Sequence, residues 1–555
     1  MKKLRWQLLI IFLTGIVVGV LLLSEQPIDL PTVELKPTEK GSYTEALIGS
    51  VQRLNPVLDF YNPVDRDVNR LLYSRLLQFD ARGNPIPDLA ESWGISEDGT
   101  VYNFLLREDA KWHDGQPVTA DDILFTVEML RQGEGVVPED LRTFWQAVEV
   151  TGQGRDVQFL LPEPFAPFLD YLTFGVLPHH LLGEKQFDEL RDDAFNLQPV
   201  GSGPYRLQRW IVEGEQIQGV VLEASTNYYG AQPEIETIVF RYYPDSASAL
   251  QAYREGLVQG ISEITLDVLP DAMREPDLSL YTGRRPEISL VLFNLKDPKA
   301  GFLQKVEMRR ALYMAINRQA LINDVLDGQA LLANGVVFPG TWAYYDGVPE
   351  VNYDPEKALS LIKQAGYVLA QEGDTVRRKG DEELSLTMIY PDTPIHRALA
   401  ERIADDWRRL GVGVTLEALP YDQLVSDRLA PRAYQVALVD LNLARSPDPD
   451  PYPFWDQVQA QTGQNYSQWD NRTASEYLEQ ARVTVNRSER ERLYRNFQIV
   501  FADELPALPL FYPVYTYGVS NKVYNVRMGP LFDNSDRLAT ILQWSLVKPQ
   551  VQKTP

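Results

Sequence analysis

The amino-acid sequence predicts an α/β protein with more than one lobe, and three observations carry that expectation. SLTMIYP (385–391) and VGVTLEAL (412–419) flank a helical stretch from Ile395 to Leu410, in which Ile395, Leu399, Ile403 and Trp407 share one side. Strand, helix and strand in that order imply a parallel pair joined by a right-handed crossover. Strand-like and helix-like patterns alternate along the rest of the chain, as they do in α/β folds. The 555 residues also exceed what one ordinary core holds, so two or three lobes are expected.

The elements follow in order. Lys2, Lys3 and Arg5 precede an uncharged apolar run from Leu8 to Leu23, which reads as an export signal. As a helix the run spans ~24 Å, short of a ~30 Å hydrocarbon core, with Trp6 and the flanking lysines covering the difference at the interface. Leu22 stands where cleavage wants a small residue, so residues 1–26 are expected to be an uncleaved membrane anchor, with the positive end inside and the bulk of the chain outside the cytoplasm. Residues 27–44, with Pro27, Pro31 and Pro37, read as a stiff tether. NPVDRDVNRLLYSRLL places Val64, Val68, Leu71, Leu72 and Leu76 on one helical face, and VYNFLLR (101–107) reads as a strand. Met308, Ala311, Leu312, Ala315 and Ile316 follow the spacing of a core-facing helix. In DPEKALSLIKQAG (354–366), Asp354 is the N-cap, Pro355 opens the helix and Gly366 follows its end.

Composition narrows function. With 53 basic and 77 acidic residues the net charge is −24, which repels phosphate backbones, so no nucleic-acid partner is expected. The absence of cysteine removes disulfides, thiolate catalysis, cysteine-ligated metals and cysteine lipidation. No G-x-S-x-G, P-loop, dinucleotide fingerprint or metal-ligand spacing is present, and no catalytic residue, metal or cofactor is assigned. The most suggestive polar stretch is WHDGQPVTADD (112–122), where a histidine and three aspartates crowd together. Each acid has a local explanation. Thr119 and Asp122 form a capping box before Ile123-Leu124-Phe125, and Asp114-Gly115 is a turn dipeptide. A metal site would need distant His113, His179, His180 and His396 to converge.

The same region carries a resemblance. LAESWGISEDGTVYNFLLREDAKWHDGQPVTADDILFT is similar to the most recognisable block of the large extracytoplasmic solute-binding proteins of the oligopeptide, dipeptide and nickel type (family 5), which serve ATP-binding-cassette importers. GSGPYRLQRW (201–210), RYYPDSASALQAYREG (241–256), LVLFNLKDP with MRRALYMAINR (290–318), YDPEKALSLIKQAGY (353–367), DPDPYPFW (448–455) and NYSQWDNRTASEYLEQAR (465–482) follow in the family's order, so the resemblance covers about residues 45–540. It implies a two-lobed clamshell of the periplasmic-binding-protein type II class, with an extra subdomain in the first lobe. Carried onto this chain, 45–85, 204–290 and 510–545 form the first lobe, 86–203 the extra subdomain and 291–509 the second lobe, entered through the crossover Phe293-Asn294-Leu295.

The implied activity is capture of a solute between the lobes and delivery to a membrane permease, by a monomer that is not an enzyme. A solute sensor for a membrane signalling partner and an oligosaccharide receptor are the alternatives. Peptide binders of the family resemble one another in a W-x-x-D-x-x-D-P segment whose first aspartate holds the peptide ammonium. Here ALVDLNLARSPDPDPYPFW (437–455) puts Pro447 at that position if Asp450-Pro451 closes the motif, and Asp448 substitutes only with a register shift. No histidine follows His396, which disfavours the nickel branch. The candidate ligand residues are Asn294 at the crossover, Trp342 in FPGTWAYY, Arg445 and Asp448 in the proline-rich loop, and Asn465 and Tyr466 before a helix. Each has a structural alternative: strand-end partner, core packing, loop ion pair, or cap.

Overall fold

One twelve-stranded mixed sheet runs through the computed structural model, which describes residues 41–443 and 447–547. Its strands are β1 (Ser42–Ile48), β2 (Tyr205–Glu213), β3 (Gln216–Ala224), β4 (Thr237–Tyr243), β5 (Gly260–Ile261), β6 (Leu278–Arg284), β7 (Glu287–Phe293), β8 (Ala330–Leu332), β9 (Ser385–Pro391), β10 (Gly413–Leu419), β11 (Val436–Asn442) and β12 (Ala507–Ser520). The order across the sheet is β10-β9-β11-β7-β12-β5-β1-β4-β3-β2, and β6 and β8 also pair with β12. The anchor expected at 1–26, and the tether up to residue 40, lie outside the described residues. The tether ends sooner than expected: SYTEALI already forms β1, because it pairs in parallel with both β4 and β5 and buries its side chains there. Among the described residues, no helix is long and apolar enough to cross a membrane.

The sheet is two sheets joined by shared strands. The C-terminal half of β12 pairs with β6 from Arg284↔Val514 to Leu278↔Ser520, while its N-terminal half pairs with β7 from Ser289↔Phe511 to Leu292↔Ala507. β6 and β7 therefore act as one strand interrupted at Arg285-Pro286. Pro286 and Pro513 face this junction and each lacks a ladder donor, so the ladder is interrupted a few residues before Phe293-Asn294-Leu295. A single bond spans it, from the Arg285 N–H to the Pro513 carbonyl at 2.8 Å.

Packing divides at the same point. Along β7, Val291 and Phe293 enter one core and Ile288, Leu290 and Leu292 the opposite one, as two-residue periodicity requires. Those cores draw on residues from Ile288 to Tyr512. Tyr515, Tyr517 and Val519 of β12 instead join a core that begins at Tyr43, and that core takes in the buried side chains of the four-stranded sheet Ala90–Ile95, Val101–Leu106, Asp156–Leu160 and Glu149–Gln153. The C-terminal return packs Leu531, Leu538, Ile541 and Trp544 into this core and is tied to it by Arg66–Asp533 and Arg70–Asp536 ion pairs and, most deeply buried, by Arg537. Arg537, 1% exposed, donates to Glu45 Oε1 at 2.7 and 3.0 Å and to both oxygens of Asp67 at 2.6 and 2.8 Å. The other Glu45 oxygen accepts from the hydroxyls of Tyr43 and Tyr517.

Local expectations stand as follows. The strand–helix–strand unit is present, with a helix over Pro394–Arg409 and β9 and β10 parallel from Ser385↔Gly413 to Pro391↔Leu419. Asp354 caps the Pro355–Gln364 helix through the Lys357 N–H, and Gly366 takes φ +96°. The helix at 63 ends at Leu72 and does not continue to Leu76, because the Leu72 carbonyl accepts from the Gly203 N–H and Ser74 Oγ donates to the Ser202 carbonyl. WHDGQPVTADD is architecture. Asp122 accepts from the backbone N–H groups of Thr119 (2.8 Å) and His179 (2.7 Å) and from Trp112 Nε1. Asp114 accepts from the Gln116 N–H and faces His180 Nε2 at 2.7 Å. His113 stitches the stretch to 201–203: Gly201 N–H donates to Nδ1, leaving Nε2–H to donate to the Gly203 carbonyl.

Two outcomes follow. Arg537→Ala leaves Glu45 and Asp67 buried without their cation and is expected to cost about 3–5 kcal/mol in urea unfolding; a loss under about 1 kcal/mol contradicts the fastening role. Burial pushes the His113 imidazole down to about 4, so the native state holds it neutral where the unfolded chain protonates it. Stability from this group is present above pH ~6.5 and is lost as pH falls toward 4, roughly 2 kcal/mol by pH 5. Urea titrations at pH 7 and 5 should show a smaller loss in His113→Gln than in the wild type; parallel losses contradict the assignment.

Candidate functional site

Away from the junction the two halves of the molecule meet again, through side chains. The turn Asp80–Asn84 of the first half needs Gly83 at φ +73°, and a Cβ there would stand 3.1 Å from Pro447 Cβ and 3.5 Å from Trp342 Cδ1. Next to it, Arg487 Nη1 donates to Asn84 Oδ1. The Asp448 N–H donates to Asp170 Oδ1 at 2.9 Å. Arg482 lies over the rings of Tyr452 (4.0 Å) and Phe165 (5.2 Å) while holding both oxygens of Asp450. Beside the Arg487–Asn84 contact is an open cavity of about 700 Å³, walled by Arg82 and Asn84 on one side and by Gly340, Trp342, Tyr344 and Arg487 on the other. That volume is ordinary for a small-molecule or short-peptide site.

Trp342 forms the aromatic wall. Its ring sits 5.6 Å from that of Tyr494, with the guanidiniums of Arg487 and Arg490 at 4.8 and 5.0 Å. Asp448 lies behind it, buried, with Oδ2 2.6 Å from Arg490 Nη2 and Oδ1 accepting from Tyr494 OH at 3.3 Å. Burial pushes the Asp448 carboxyl up, and Arg490 works against that shift. Arg487, Arg490 and Tyr494 belong to the helix Arg487–Glu504 and fall at i, i+3 and i+7, one face of the helix. That spacing was readable in RSERERLY, but only the fold shows that the face meets Trp342.

The remaining candidates gather elsewhere. Asn294 is buried, its Nδ2 donating to the carbonyls of Arg432 and Tyr434 at 2.9 Å and its Oδ1 accepting from Gln468 Nε2 and the Lys296 N–H. Asn465 Nδ2 donates to the Asp456 and Trp469 carbonyls, and its Oδ1 accepts from Ser467 Oγ and the Trp469 N–H. Tyr466 is half-buried under Arg432, 5.0 Å from its ring, and its carbonyl accepts from Tyr434 OH. So Trp342 and Asp448 come together at the cavity, while Asn294, Asn465 and Tyr466 belong to a second hydrogen-bonded group. Arg445 lies outside the described residues. Among the described residues, no cluster of three or more histidine, aspartate or glutamate side chains is arranged to hold a metal.

At the junction itself stand two arginines. Arg285 pairs with Glu263. Arg284 stacks on Phe338 with 4.0 Å from guanidinium to ring centroid, and Phe338 opens the turn that carries Gly340 and Thr341 to the cavity wall.

Two α/β lobes joined by shared strands, with a cavity walled by both, define a solute-binding clamshell. The chain belongs to the bacterial extracellular solute-binding proteins, family 5: the profile of that family's middle region matches residues 84–466. The dipeptide-binding protein of Escherichia coli (strain K12) is 26% identical over 508 residues, 87% of this chain and 91% of its own length. The nickel-binding periplasmic protein of the same strain is 26% identical, covering 90% of this chain and 93% of its own length. HbpA2 from Haemophilus parasuis shares the fold, with TM-score 0.77 at 20% identity over 88% of this chain and 98% of that one. The chain is thus an extracytoplasmic substrate-binding component of an ATP-binding-cassette importer.

The Arg487–Asn84 contact joins the two halves at the periphery, so its loss should favour separation of the lobes. Replacing both Asn84 and Arg487 with alanine is expected to raise the radius of gyration of the unliganded protein in small-angle scattering without lowering its unfolding midpoint appreciably. An unchanged radius means that this contact does not hold the lobes together.

Proposed function

We propose that the chain captures a peptide-like or other polar organic solute in the cavity beside Trp342 and presents it, enclosed, to the importer's permease. It acts as a monomer, without catalysis, held at the outer face of the membrane by an uncleaved helix at 1–26. The observation that carries this reading is the cavity of about 700 Å³ whose walls come from both lobes, so that closure and capture are one event. An aromatic face with guanidiniums beside it suits planar polar groups such as peptide bonds. We take 45–85, 204–290 and 510–545 as the first lobe, 86–203 as its subdomain and 291–509 as the second lobe; the separate cores on either side of the Pro286/Pro513 junction support a division into two lobes, with Ile288, Leu290 and Leu510 to Tyr512 packing on the second-lobe side.

Trp342 is the ligand contact in this reading. Asp448 acts through Arg490, fixing the guanidinium beside the tryptophan. Asn294 and Asn465 hold the neighbouring loops, since the nitrogen and the oxygen of each amide are already engaged by protein groups, and Tyr466 is retained as a candidate beside Arg432. Arg445 is retained as a candidate for the cargo's acidic or planar groups.

Native mass spectrometry of residues 27–555, purified without denaturation and then incubated with short peptides and with oligosaccharides, tests the reading. A retained mass on the order of a few hundred daltons, with compaction in solution scattering, is the expected result. Trp342→Ala should weaken retention about tenfold or more, as loss of a buried aromatic contact does. Retention of sugars in preference to peptides would reassign the cargo, and no retained mass with no compaction would overturn the capture mechanism.

A further inference from the structure

Arg284 closes β6 at the junction between the lobes, half-buried, with one face of its guanidinium covered by Phe338 at 4.0 Å. Its Nη1 donates to the Arg285 carbonyl at 3.2 Å. No carboxylate among the described residues lies within ion-pair distance. Its neighbours are otherwise matched: Arg285 has Glu263, and the field at Glu287 comes from Arg285, Asp440 and Glu263, not from Arg284. Burial pushes the Arg284 guanidinium down to about 10, and only Tyr512 pulls the other way. A partly desolvated cation left without an anion is costly, and its planar fork of donors matches a carboxylate in two-point contact.

A short turn links its stacking partner Phe338 to the cavity wall. Phe338 begins the turn whose Gly340, Thr341 and Trp342 wall the cavity, and Tyr344 of the same wall acts electrostatically on Tyr512, as Arg284 does. Leu443, the last described residue before the proline-rich loop, donates its N–H to the Pro286 carbonyl at 2.8 Å, so that loop leaves from beside Arg284. We propose that Arg284 receives a carboxylate of the captured solute, placing the anionic end of the cargo at the hinge and its body along Phe338 toward Trp342. An anion bound there neutralises a charge on the segment that bends when the lobes move, which links binding to closure. The inference rests on the capture reading above only in taking that carboxylate to belong to the cargo.

The test compares acid and amide forms of two probes on the full chain at constant ionic strength: trialanine against its C-terminal amide by calorimetry, and acetate against acetamide by thermal unfolding. The wild type is expected to prefer trialanine over its amide by roughly tenfold. In Arg284→Gln that preference should fall to near equality while affinity for the amide is unchanged. Arg284→Lys keeps the charge and loses the fork; it should lose most of the preference and serves if the glutamine variant does not fold. A preference that survives Arg284→Gln, or no acid preference in the wild type with either pair, overturns the site. If neither tripeptide binds but acetate still stabilises more than acetamide in an Arg284-dependent way, the peptide cargo fails and the anion site stands.

Discussion

The constraint on which the structure depends is that one strand serves two lobes. β12 is fourteen residues long, and its first residues feed cores built from 288–512 while Tyr515, Tyr517 and Val519 feed the core that starts at Tyr43. Neither lobe is complete without it. The antiparallel partner, β6 with β7, is divided in the same way. Both strands carry a proline at the crossing, so the ladder is weakest where the cores end. Close-packed interiors resist deformation, and a junction held by few hydrogen bonds does not. The molecule is therefore stiff in its lobes and soft between them.

What closes the lobes is small by comparison. The polar contacts across the far rim, Arg487 with Asn84 and Asp448 with Asp170, each have one charged partner and contribute about 1.5–3 kcal/mol net. A solute with differential affinity for the closed state can reverse an equilibrium of that size. The buried Asp448–Arg490 pair has a different part. It lies within the second lobe, where desolvation makes it expensive to break, and it keeps a guanidinium on the Trp342 ring whether the lobes are apart or together. Wall geometry is thus fixed before any solute arrives, and only the opposite wall has to move.

Much of the fold was legible because its signals are local. The β9–helix–β10 unit, the Asp354 cap and the Thr119–Asp122 pairing each rest on residues a few positions apart. The site was less legible because it is assembled across the chain. Trp342 was visible as an exceptional side chain in a Gly-Thr-Trp turn, but its neighbours Arg487 and Arg490 lie far along the sequence. Asn294 and Asn465 were candidates for their places at the crossover and before a helix; in the fold their amides donate to backbone carbonyls, at 432, 434, 456 and 469. Asp448 was singled out for its charge, yet its partner is an arginine that only packing supplies. The end of the tether was misjudged for the same reason: β1 is a strand because β4 and β5 lie beside it, and neither adjoins it in sequence.

The central claim is that the two lobes move as rigid bodies about the Pro286/Pro513 crossing and close on a solute. The chain has no cysteine, so Glu97→Cys, on the side of the Tyr43 core, and Glu356→Cys, on the side of the 288–512 cores, give two unique dye sites. Single-molecule energy transfer between them, without and with the solute retained in native mass spectrometry, measures the motion directly. The account predicts two exchanging distances, with the solute moving the population to one of them. A single distance that the solute leaves unchanged contradicts it.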